Sequence, residues 1–90
     1  MFNFIRESRV TQGDLHSITL EISEDIYQTF YGDLSEDTAQ DILTQYLKYR
    51  QDDGRASDIK VKKNKGTHTV NIYANLHYLG NDKTEQESFV

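Results

Sequence analysis

The chain has 90 residues, of which 36% are hydrophobic and 28% charged, with a formal net charge of −5 at pH 7. That length supports a single domain around one core, near the lower end of what one core can stabilise. With no cysteine and no proline, disulfides and thiolate zinc sites are excluded, and no apolar run reaches the ~20 residues that a membrane-spanning helix needs.

Charge is segregated along the chain. No lysine or arginine lies between Arg9 and Lys48, while that stretch carries acids from Asp14 to Asp41. From Lys48 to Lys65 the balance reverses, giving an acidic first half and a basic segment after it. Such segregation is expected of solvated surface with charges matched to helix ends, or of a dipolar protein that presents one sign to a partner. The apolar cluster at the N-terminus is too short for a signal peptide, and a chain without cysteine fits a reducing compartment. A cytoplasmic protein without membrane association is expected.

Residues 2–10 are expected to form a first strand, with Phe2, Phe4 and Val10 on one side. Arg6 and Ser8 share that side and Ile5 is out of phase, which suits an edge strand or a bulged one. Residues 11–14 read as a turn. Residues 16–22 alternate, with Ile18, Leu20 and Ile22 inward and Ser17, Thr19 and Glu21 outward; that period of two marks a strand with one buried face. The two strands are expected to form a hairpin.

At Ser23-Glu24-Asp25 the period changes. Serine is a helix cap and acids in the first turn suit the positive end of the helix dipole, so a short helix is expected, carrying Ile26, Tyr27, Phe30 and Tyr31 and ending at Gly32. Asp33 with Glu36 resembles a capping box for a second, longer helix. Its apolar face is Ala39, Ile42, Leu43, Tyr46 and Leu47, and Gly54 is expected to close it.

Residues 58–79 organise the rest. They read as a hairpin in which Ile59 and Val61 point inward, Asn64-Lys65-Gly66 turns with Gly66 at positive φ, and a long second strand follows. In that strand His68, Val70, Ile72, Ala74, Leu76 and Tyr78 form one face. With the turn at 64–66, residues 73–79 overhang the first strand by about 23 Å, at about 3.3 Å per residue. They need another neighbour, either the strand containing Ile18 or an equivalent strand of a second molecule, which would make a homodimer. Residues 80–90 lose all periodicity and read as a flexible tail.

The expected fold is α+β, a two-layer sandwich. A mainly antiparallel sheet of about four strands, in the order β-β-α-α-β-β, has one long and one short helix on one face. Residues 1–79 form the single domain.

For function, the sequence offers no phosphate loop, nucleophile elbow or triad, and His68 and His77 fall on opposite faces of a regular strand. No enzyme activity, cofactor or metal is therefore expected. A small non-enzymatic protein-binding or regulatory role accounts for the segregated charge and for a surplus of aromatic residues, six tyrosines and four phenylalanines. The expected contact residues are Tyr27, Tyr31, Tyr46, Tyr49 and Tyr73. The alternative is a nucleic-acid-binding module, in which Lys60, Lys62, Lys63 and Lys65 hold phosphates and Tyr73 stacks on a base. The terminal Ser88-Phe89-Val90 also fits a segment that adds as a strand to a peptide-binding groove.

Overall fold

In the computed structural model, which describes residues 4–78, the chain runs β1 (Arg6–Gln12), β2 (Leu15–Ser23), α1 (Glu24–Phe30), α2 (Glu36–Tyr49), β3 (Arg55–Asn64) and β4 (Thr69–His77). The strands form one antiparallel sheet in the order β1-β2-β4-β3, with both helices on one face. The expected α+β sandwich is the observed one. The expected tail at 80–90 and the residues Met1 to Asn3 lie outside the described residues.

The two central strands supply most of the sheet's share of the core. Ile18, Leu20 and Ile22 of β2 and Val70, Ile72, Ala74 and Leu76 of β4 are buried under Tyr27 of α1 and the apolar face of α2. Alternation places those residues on one face, and antiparallel register sets Leu20 opposite Ile72 and Ile22 opposite Val70. Each filled side chain there removes apolar area from water on both layers.

The caps differ from the sequence expectation. Ser35, rather than Asp33, caps α2: its Oγ accepts from the Thr38 N–H at 3.1 Å. Asp33 instead accepts from the Thr38 hydroxyl at 2.7 Å. Tyr31, rather than Gly32, ends α1, and its N–H donates to the Tyr27 carbonyl at 2.7 Å. At the end of α2 the chain closes through Gln51, whose φ is 57°. The Gln51 N–H donates to the Lys48 carbonyl and the Asp52 N–H to the Leu47 carbonyl, the paired arrangement that normally selects glycine. Gln51→Gly is therefore expected to raise stability by about 0.5–1 kcal/mol, because it relieves a left-handed non-glycine residue. Urea denaturation followed by circular dichroism measures it. An unchanged or lower midpoint would count against that closure. Gly54 has a different task from ending the helix. A Cβ there would lie 3.0 Å from the Tyr78 ring, so glycine is what lets the loop pass close to it.

The hairpin of β3 and β4 departs furthest from the expectation. Its loop is residues 65–68, and the left-handed residue in it is His68, with φ 54°, rather than Gly66. The Asn64 side chain organises the loop by accepting from the Gly66 and Thr67 N–H groups. His68 is thereby removed from the inward face of β4. At its other end β3 begins at Arg55, ahead of Asp58, and Arg55 pairs with His77. The overhang at 73–77 does not exist: these residues pair with β3 on one side and with β2, as far as Leu76, on the other. No strand from a second molecule is needed to complete them.

The earlier start of β3 is possible because of a bulge between Ser57 and Lys60, where Asp58 has φ 53°. Ala56 is at an even position and Ile59 and Val61 at odd ones, yet all pack against the core. An extra residue is the means by which one strand changes parity and keeps its apolar residues on one face. Asn75 Nδ2 donates to Asp58 Oδ2 at 3.0 Å and so ties the bulge to the neighbouring strand.

The first strand is inverted relative to its expected facing. Phe4 and Val10 are exposed, whereas Ile5 packs against the core. Glu7 stands opposite Leu20 and Arg9 opposite Ile18, so the helix side of β1 carries charged residues.

Candidate functional site

The tyrosines expected to make contacts divide into two groups. Tyr27 and Tyr46 are 0% and 3% exposed and belong to the core. The Tyr27 hydroxyl donates to the Asp33 carbonyl, and burial pushes its pKa above the ordinary tyrosine value. Both rings are enclosed by the core rather than displayed at the surface. Tyr31 is half-buried and stands 5.4 Å from the Tyr27 ring, while Tyr49 and Tyr73 lie at the surface.

Tyr46 leads into a polar network that the sequence did not disclose. Its hydroxyl donates to Glu7 Oε1 at 2.6 Å. Arg9 donates to Glu7 Oε2, to Asp52 Oδ2 at 2.8 Å and to the Tyr78 hydroxyl at 2.9 Å. Asp52 also accepts from the Gly54 N–H at 2.8 Å and from Tyr78 at 3.1 Å. Burial alone would raise the Glu7 and Asp52 carboxyls. The hydrogen bonds from Tyr46 and Arg9, and from Gly54, Arg9 and Tyr78, outweigh it and hold both below the usual carboxylate range. Burial and the Glu7 hydrogen bond push Tyr46 up to about 12. Every member has partners within the protein, so the network reads as a brace fastening β1 to the end of α2 and to the loop after it. Only the unmatched polarity of β1 hinted at it.

The lysine cluster is also split by the fold. Lys60 pairs across from Tyr73 and Lys62 from Asn71, on the sheet face away from the helices. Lys63 stands opposite the buried Val70 and forms an ion pair with Glu24 at 2.6 Å, which holds the Glu24 carboxyl below its ordinary value. Lys65 is in the hairpin loop. The open face instead gains Arg55 opposite His77, and Arg6, which pairs with Glu21 at 3.7 Å. Neither arginine was placed there by the sequence, because facing at a strand's end depends on the bulge and on register.

The histidines are scattered. His16 contacts the Tyr78 ring edge-on at 5.2 Å, the His77 Nε2 lies 2.7 Å from the Ser57 hydroxyl, and His68 is in the loop. Among the described residues no set of three histidine or carboxylate side chains is placed to hold a metal ion, and no helix is long and apolar enough to cross a membrane.

A groove remains that no sequence pattern marked. The start of α2 and the edge strand β3 bound a hollow of about 500 Å³, with Glu36, Asp37 and Gln40 on the helix side and Ala56, Asp58 and Ile59 among the residues of the strand side. It shares Gln40 and Ala56 with a second hollow of about 300 Å³ that continues past Leu47 toward Asp53 and Gly54. Together they follow the outer edge of β3. Comparison of the chain with known protein families, with curated proteins and with solved structures finds no match in any of the three.

Proposed function

We propose that the protein is a small, non-enzymatic binding protein of the cytoplasm that acts, in a regulatory way, through contact with another protein. The observation that supports this reading is the groove along β3, an edge strand flanked by a helix wall and floored by partly buried Ala56 and Ile59. A strand edge of this kind offers backbone donors and acceptors together with side-chain pockets, the combination by which many domains take up protein segments. Exposed Tyr49, Phe30 and Leu34 add contact area on the helix layer. The test is capture from native lysate on the tagged chain, with and without nuclease, identified by mass spectrometry. A stoichiometric protein that survives nuclease, a second copy of the chain included, supports the reading. Recovery of nucleic acid, or only of proteins that vanish with nuclease, overturns it.

A second reading, nucleic-acid binding, is favoured by one observation. On the open sheet face Lys60 lies directly across from Tyr73, with Lys62 across from Asn71 and a shallow hollow of about 260 Å³ beside the ring, which Asp58 also lines. That places two lysines near an aromatic platform, the pairing single-strand binders use. If single strands bind there, Lys60→Glu with Lys62→Glu should abolish binding of a fluorescent oligothymidine. The wild-type affinity should then fall with salt at a slope of roughly −0.7 per phosphate contacted. A salt-insensitive affinity, or one unmoved by the double change, would remove this reading.

A further inference from the structure

The groove has features that select among protein ligands. Among the described residues β3 pairs with β4 on one side only, so every other backbone N–H and C=O along its outer edge points away from the sheet. β1 has an outer edge as well, but its helix side is occupied by the brace of Glu7 and Arg9 to Tyr46 and Asp52. At β3 the helix stands back and leaves a trough beside the strand.

The helix wall carries a sign. In the wide part of the trough it holds two carboxylates, Glu36 and Asp37, while Asp58 is held by Asn75 and Lys60 stands across from Tyr73 at the strand side. The narrow part sets Asp52 and Asp53 beside Lys48 and Arg55. Neither Glu36 nor Asp37 is in an ion pair among the described residues. The floor is apolar, from Ala56 and Ile59, and continues past Leu47 in the narrow part. An occupant must therefore be extended, satisfy backbone groups, and bring cationic side chains together with small apolar ones.

Resting on the protein-binding reading above, we infer that the groove takes an extended basic segment of a partner protein, which adds to β3 as a fifth strand. The bulge divides the edge, so pairing runs along residues 55–57 and resumes from Lys60. Lysine or arginine side chains of the segment reach Glu36 and Asp37. Residues 55–60 span up to about 20 Å at ~3.3 Å per residue, so about six residues of the partner fill the trough.

The experiment uses the full chain and a phage-displayed library of random peptides of roughly 12 residues, enough to overrun a trough of that length. The tightest peptide selected is synthesised, together with versions N-methylated at one residue at a time. Lysine- or arginine-rich sequences are expected. N-methylation at alternate residues should weaken binding more than about tenfold and leave the intervening positions nearly unchanged, because only alternate amides face the strand. Amide shifts should move at residues 54–60. Glu36→Gln with Asp37→Asn should weaken the peptide by roughly tenfold while leaving the circular dichroism spectrum intact. A selected peptide whose N-methylation shows no alternation, or whose shifts map to the open sheet face, overturns the strand-addition inference and leaves the protein-binding reading standing. Failure of the library to yield any binder also overturns it. If lysate capture returns no protein as well, both readings fall.

Discussion

Replacing Tyr27 with alanine is expected to destabilise the protein by about 3–5 kcal/mol, the range for emptying a buried aromatic site. Tyr27 is 0% exposed, sits between α1 and the central strands, and its hydroxyl is bonded to the Asp33 carbonyl. Total stabilities of small domains are only about 5–15 kcal/mol, so the variant would be close to unfolded. Tyr27→Phe keeps the ring and loses one hydrogen bond, for about 1 kcal/mol. Phe30→Ala, at a side chain 56% exposed, should stay within about 0.5 kcal/mol of the parent. Urea midpoints of the three variants decide it. A Tyr27→Ala protein as stable as the Phe30→Ala one would mean that Tyr27 is not a core residue. The same series separates loss of binding by unfolding from loss of a contact, since a contact residue would behave in the opposite order.

Arg9→Met should lower stability at pH 7 by about 2–3 kcal/mol and flatten its dependence on acid. The magnitude lies below the roughly 3–5 kcal/mol for breaking a buried ion pair because the Arg9 side chain is still 35% exposed. Its loss strands Glu7 and Asp52, whose side chains are 20% and 13% exposed. Both carboxyls are held below their ordinary values of 4.5 and 3.8. In that condition the unfolded chain binds more protons than the native one just below those values. The stability they contribute is present above about pH 4.5 and is lost as pH falls through the lower native values. Without Arg9 one cause of the depression is gone, although Tyr46 still donates to Glu7 and Gly54 to Asp52. Urea midpoints at neutral pH and near pH 3 should thus differ less in the variant than in the parent. Parallel pH curves would show that Arg9 does not hold these carboxylates. Because Asp52 and Gly54 line the narrow end of the groove, the variant should also weaken a groove ligand. The open sheet face would be unaffected.

Much of the fold was legible because the signals that carry it are local. The inward residues of β2, the face of α2 from Ala39 to Leu47, and the face of β4 from Val70 to Leu76 follow from the side-chain periods of strand and helix, which need no knowledge of a partner. Element order and class follow from them. Everything that depends on which residues stand side by side was decided by tertiary structure. The phase of β1 is set by its register with β2, which turns Glu7 and Arg9 toward the helices and Val10 away. The parity change between Ala56 and Ile59 is absorbed by a bulge at Asp58, and with it went the expected overhang and the reason for a second molecule. Of the four lysines only Lys60 and Lys62 share the open face, and Tyr27 and Tyr46 proved to be interior. The groove along β3 is the furthest from the sequence, since it exists only because an edge strand and the start of a helix, roughly 20 positions apart in the chain, are held side by side with a hollow between them. Local alternation tells a residue which way to face; only the partner strand tells it what it will meet.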